Sequence, residues 1–263
     1  MHDPATVWRR SPVGELCWSA GSGPQAIPVV PLLAGDTPCV ALPLAHLHLI
    51  ASLGRYAAFC ASAPAAEGQP TLAAVGRVEV SLDPRGEAFA DLVEQEAVKH
   101  PPTRLRAGSL MARRENWWWM GRAIVRLVDV ERVLPLPPRD RPEDALLVRG
   151  RDGGVRVDVV TAPAWPDGPD SVLEVWGRDG DDPEGDGEEV LVMGHQASPD
   201  FERWERWTRR GPLTGQHLRL TEAVGAPDGD PRPYGLVERW GNHRRVRRAC
   251  VAGVAEAERR LRR

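Results

Sequence analysis

Two histidines separated by one residue, His46 and His48 in HLH, are the first pair whose types and spacing suggest chemistry. On a strand they would share a face and offer a metal two imidazoles. On a helix they diverge by about 200°. Pro43 followed by Leu44, Leu47, Ile50 and Leu53 favours the helix, so no metal site is predicted. DDPEGDGEE matches a calcium loop at Asp182, Glu184, Asp186 and Gly187, but Met193 stands where a bidentate carboxylate is required. The segment reads as a solvated acidic loop. Only Lys99 among 34 basic residues is lysine, and no G-x-x-x-x-G-K-[ST] loop occurs, so a Schiff-base role falls to Lys99 alone. GSG at 21–23 lacks the third glycine of a dinucleotide fingerprint, and neither G-x-S-x-G nor H-E-x-x-H is present. Cys17, Cys39, Cys60 and Cys250 show no C-x-x-C spacing and read as buried free thiols. The catalytic residues stay unknown at this level.

Arginine and tryptophan remain. In ENWWWMGRAIVRLVDVERV (115–133), a strand would place Trp117, Trp119, Gly121, Ala123, Val125 and Leu127 on one face. Trp118, Met120, Arg122, Ile124, Arg126 and Val128 would line the other. The first face suits a barrel interior; the second, with two arginines, suits a wet interface or an anionic ligand. Nine arginines crowd residues 239–263. They read either as a nucleic-acid surface or as a helix answering the acidic loop at 179–189 in this chain or a second copy. The net charge of −3 favours the latter.

The elements that must position these residues follow from period and punctuation. GELCWSA, QAIPVVPLL and TPCVALP predict short strands, a helix runs from Pro43 to Gly54, and YAAFCAS and TLAAVGRVEVSLD are strands. A second helix spans about Pro84 to Lys99, burying Phe89, Leu92, Val93 and Ala97 and ending at the His100-Pro101-Pro102 breaker. After a proline-rich linker at 135–144, ALLVRG, VRVDVVTA, SVLEVWG and EEVLVMG are strands. Ser198 caps a third helix carrying Phe201, Trp204 and Trp207, and QHLRLTEAV returns as a strand. The repeated strand-turn-helix order at 72–102 and 189–212 suggests a remote duplication, an echo that α+β chains also produce by chance. A terminal helix from Asn242 carries a stripe of Val246, Cys250, Val254 and Leu261.

An apolar share of 42% over 263 residues describes a globular chain, and the absence of a long apolar run, with charge in MHDPATVWRR, points to the cytoplasm and away from membranes. The expected fold class is α+β: a split β-barrel with flanking helices over residues 1–137, then a smaller α+β unit over 138–263, either a degenerate second barrel or an appended domain.

Residues 12–137 resemble the pyridoxamine 5′-phosphate oxidase-like, FMN-binding split-barrel superfamily. The resemblance rests on VALPLAHLHLIASL, AAVGRVEVSLDP and GRAIVRLVDVERV in that order. It implies a homodimer with FMN or another small molecule at the subunit interface, lined by Arg77, Trp118, Arg122 and Arg126, and flavin-dependent oxidoreductase activity. QAIPVVPLLAGDTPCVALP, however, has no basic residue where such proteins hold the flavin phosphate. Two alternatives therefore stand: a split-barrel binding protein without redox chemistry, and a nucleic-acid-binding protein acting through the basic helix.

Overall fold

The computed structural model describes residues 2–64, 66–151, 153–227 and 231–262. The fold is α+β. Seven antiparallel strands form the first sheet: β1 (Gly14–Ala20), β2 (Gly23–Val29), β3 (Leu32–Ala34), β4 (Thr37–Pro43), β5 (Tyr56–Ala61), β6 (Leu72–Asp83) and β7 (Arg122–Pro135), in the spatial order β2-β1-β5-β6-β7-β4-β3. The edge strands β2 and β3 are consecutive, with only Val30 and Pro31 between them, so the sheet must curl until its edges meet. Leu16, Trp18, Val29, Val40, Leu42, Phe59, Val125 and Leu127 fill the interior.

The early strands read as unbroken apolar runs because both their faces are covered. On the outer face, Cys17, Ala26, Ala58, Cys60 and Ala73 are small enough to admit a second sheet, which presents Leu146, Val148, Val157, Leu191 and Met193 against them. That sheet comprises β8 (Ala145–Arg151), β9 (Gly154–Thr161), β10 (Val172–Glu174), β11 (Trp176–Gly177), β12 (Gly185–Ala197), β13 (Trp204–Gly215), β14 (His217–Arg219) and β15 (Glu222–Val224). Its order is β10-β14-β13-β12-β8-β9-β11, with β15 beside β13, and its edges β10 and β11 flank Val175 alone. It too is a nearly closed barrel, around Leu147, Val160, Trp165, Val192, Trp207 and Leu213.

Among the described residues the α-helices that decorate the first barrel are α1 (Pro4–Arg10), α2 (Leu47–Ile50), α3 (Glu87–Ala90), α4 (Val93–Lys99), α5 (Pro101–Ala107) and α6 (Leu236–Leu261). Helix α4 seals the seam between the barrel edges. The Gln95 amide mimics a strand partner for Leu33, donating to its carbonyl at 2.8 Å and accepting from its N–H at 3.0 Å. Lys99 Nζ donates to the Pro31 carbonyl at 2.7 Å. These bonds set the position of Glu96 and of the chain that follows it.

Four expectations are corrected. The tryptophans are not on a strand: residues 114–119 form a 3-10 turn, and β7 begins at Arg122. Asn116 Nδ2 and Trp119 Nε1 donate back to the carbonyls of Leu110 and Met111, at 3.1 and 3.0 Å, and this local wrap holds the segment off the sheet. The predicted helix after Ser198 is instead the turn of the β12–β13 hairpin, so the strand-turn-helix order of 72–102 is not repeated at 189–212. Ser198 Oγ accepts from Arg203 N–H at 3.0 Å and donates to Asp200 at 2.6 Å, closing a loop rather than capping a helix. Trp207, Arg209, Gly211 and Leu213 alternate inward with period two. The Pro101-Pro102 breaker ends α4 but also starts α5, where proline at the first position lacks only an N–H that would be orphaned anyway. Finally, α6 docks on the first half through Val246, Cys250, Gly253, Val254 and Ala257, not through Leu261, which is 61% exposed. Its ion pairs run to Asp200, Glu202, Glu256 and Glu258; among described residues none reaches the acidic loop at 179–189.

Candidate functional site

The four residues predicted to line a cofactor do not converge. Arg77 on β6 sits opposite Asp129 and pairs with Glu79 at 3.0 Å near the surface. Arg126 faces Glu79 on one side and Cys39 on the other. Arg122 lies opposite Asp83, six residues along β6 from Arg77 and so about 20 Å away. Its guanidinium is already committed: it donates to Glu96 Oε1 at 3.2 Å and to the Trp119 carbonyl, and stacks on Phe89 at 4.0 Å. Trp118, on the 3-10 turn, meets the His243 ring edge-on at 5.5 Å. Within one copy of the chain these residues form no single pocket. Nor does the Trp118, Met120, Arg122 face present a dimer interface. Met120 and Arg122 are 4% and 3% exposed, buried by the chain's own α3–α4 segment.

The histidines do meet. A cleft opens between the β2–β4 side of the first barrel, the hairpin turn at 198–204, α5 and α6. It has two lobes, of about 580 and 790 Å³, which share His46, His100 and Trp204 as walls. The first lobe has an apolar floor of Val29, Val40, Leu42 and Leu49. The second is walled by Arg106, Phe201, Tyr234, Trp240 and His243. Size and lining suit a small molecule. His48 also borders the first lobe, its ring 6.5 Å from that of His46. No group of three or more His, Cys, Asp or Glu is placed to hold a bare metal ion among the described residues.

His100 is held by a buried relay. The Glu96 carboxylate only accepts, so the 2.5 Å contact to Thr103 Oγ1 is a hydroxyl donating to Glu96. The Thr103 oxygen in turn accepts from His100 Nδ1–H at 2.9 Å. That contact favours a proton on Nδ1. Burial brings the His100 pKa down to about 4, against the pull of Glu96 and of a backbone hydrogen bond to Phe201, so the ring is neutral at ordinary pH. Burial likewise lowers His46, helped by neighbouring His48.

A second buried cluster anchors the opposite wall. Glu15 Oε1 accepts from Ser62 at 2.7 Å, from His195 Nε2–H at 2.9 Å and from Arg139 at 3.1 Å. Burial alone would raise the Glu15 pKa, yet His195, Arg139 and Ser62 together hold it below the usual value. His195 Nδ1 accepts from the Trp204 indole at 3.3 Å, which fixes the wall that both lobes share.

Sequence reasoning weighed His46 but missed the relay. Glu96, His100 and Thr103 are spaced i, i+4, i+7, a helical face interrupted only by the proline pair that had been read as a breaker.

No protein-family model matches this chain, and no curated protein matches it. Among solved structures, a heme binding protein from Mycobacterium smegmatis aligns over 98% of this chain and 99% of its own, at 14% identity and a TM-score of 0.35. At that score nothing about fold or ligand transfers.

Proposed function

We propose that this chain is a small-molecule-binding barrel protein whose ligand is an aromatic, cofactor-like ring system held in the two-lobed cleft. One observation carries the reading: His100, kept neutral by burial, stands with His46 and Trp204 in the wall shared by two lobes with apolar and aromatic lining. Its Nδ1 meets Thr103, and imidazoles that bind a metal centre are commonly oriented through one ring nitrogen in this way. A neutral imidazole is what a haem iron takes as its axial ligand, so haem is the cofactor class whose demands this donor meets; when bound, such a group supplies redox or oxygen chemistry of its own. The flavin-dependent oxidoreductase reading is not favoured, because the arginines expected to hold FMN are scattered or already paired.

Hemin titration tests the proposal. The expected result is saturable binding at about 1–10 µM, with a shifted Soret band that His100→Ala abolishes. FMN added under the same conditions is expected to leave the hemin spectrum unchanged. No saturable binding, or an identical Soret band in His100→Ala, would overturn the reading.

A further inference from the structure

We infer that Arg106 is the counter-charge for an anionic group on the cleft's ligand, which makes that ligand an aromatic acid rather than a neutral ring. This rests on the cleft being the binding site. Arg106 lies three residues beyond Thr103, so the same short helix that orients His100 also carries it. Its side chain is half-buried, forms a wall of the second lobe and stands 5.9 Å over the Trp118 ring.

Unlike the more deeply buried arginines, Arg106 has no carboxylate partner among the described residues. Arg122 pairs with Glu96, Arg139 with Glu15, Arg149 with Asp158, Arg178 with Asp144 and Arg209 with Asp167. Arg106 has no carboxylate within ion-pair distance among the described residues. The charges nearest to it are Arg122, Glu96 and Glu202, and both carboxylates are occupied, by Arg122 and by Arg239. A guanidinium does not shed its proton in a protein, so burial without a partner leaves its charge uncompensated. A carboxylate, sulfonate or phosphate entering the lobe would relieve that cost with a fork of two hydrogen bonds. Arg245 borders the same lobe and adds to its positive field. An aromatic body would lie against Trp240, Tyr234 and Phe201.

Two fluorescent probes that differ by one sulfonate provide the test: 8-anilinonaphthalene-1-sulfonate and neutral N-phenyl-1-naphthylamine, counting only binding that hemin displaces. The full chain is expected to prefer the sulfonate by about ten- to hundredfold, the contribution of a hydrogen-bonded charge. Arg106→Gln is expected to bring the two affinities within about threefold of each other by weakening the sulfonate alone. Arg106→Lys, which keeps the charge without the fork, should fall between and guards against a folding defect in the first variant. An unchanged preference in Arg106→Gln, with hemin still displacing both probes, would overturn the anion assignment and leave the cleft reading standing. If hemin displaced neither probe, the cleft reading would fall and this inference with it.

Discussion

Thr103 joins the only donor on His100 that is spoken for to a buried carboxylate, and its removal separates orientation from charge. Thr103→Val keeps the shape but leaves His100 Nδ1–H and Glu96 each short of a partner, which costs about 1–3 kcal/mol of stability by chemical denaturation. Hemin affinity should fall less than in His100→Ala, because the imidazole survives while its orientation loosens. The pH dependence has a definite sign. His100 titrates near its ordinary 6.5 when unfolded and at about 4 when folded. The unfolded chain therefore binds the proton first, and the stability contributed by the neutral ring is fully present above about pH 6.5 and lost as pH falls toward 4, roughly 3 kcal/mol at most. His195 and His46 shift in the same direction. In urea unfolding at a series of pH values, His100→Gln should show a shallower acid loss than the parent. Parallel curves would show that the imidazole is not buried neutral.

At the scale of elements, α6 depends on glycine. A Cβ on Gly253 would collide with the Leu44 carbonyl, so the helix can lie this close to the 3-10 turn at Leu44–His46 only because residue 253 has no side chain. Gly253→Leu should push α6 off the barrel, lowering stability by about 2–4 kcal/mol and weakening hemin binding, since α6 forms a wall of the second lobe. An unaltered melting temperature would show that the helix docks elsewhere. The hairpin has a matching device at Gly194, where the Trp207 ring occupies the space a Cβ would need. Gly194→Val should disorder the β12–β13 pairing and, through Trp204, the wall shared by both lobes. Loss of the hemin spectrum together with loss of strand signal in circular dichroism checks this.

At the scale of the whole molecule, the two barrels share one apolar layer and one buried charge cluster. Cys17, Ala58 and Val75 of the first meet Leu146, Val157 and Met193 of the second, and Glu15 is held by Arg139 and His195 from beyond the first sheet. Independent unfolding would have to expose both. A single transition, with tryptophan fluorescence and circular dichroism coincident, is therefore expected, and two separated transitions would contradict it. Glu15→Gln leaves Arg139 without its carboxylate and should destabilise both barrels at once, by about 3–5 kcal/mol. On α6, the exposed Arg244, Arg245, Arg247 and Arg248 have no carboxylate within ion-pair distance among the described residues. In a chain of net charge −3, their affinity for a DNA duplex should be weak and should vanish near physiological salt. Submicromolar binding there would restore the nucleic-acid reading.

The α+β class, most of the strands, the linker before Ala145, the buried thiols and the basic terminal helix were all legible in the chain, because period, proline and glycine act within a few residues of themselves. The inward alternation of Ala123, Val125 and Leu127 was legible for the same reason. What failed were inferences in which a local pattern had two readings and a distant residue chose between them. Phe201, Trp204 and Trp207 fit a helix by spacing, but Trp207 faces the space above Gly194 on a partner strand, and that pairing depends on register across a hairpin. Arg122 and Arg126 promised a ligand face, yet Glu96, twenty-six residues from Arg122, had already claimed one of them. The cleft lay beyond reach of the sequence for a related reason: His46, the His100–Arg106 helix and Trp204 come from three separate segments. Only the curling of two sheets, with α4 sealing the seam of one and α6 returning to it from the far end of the chain, decides which of those side chains are neighbours.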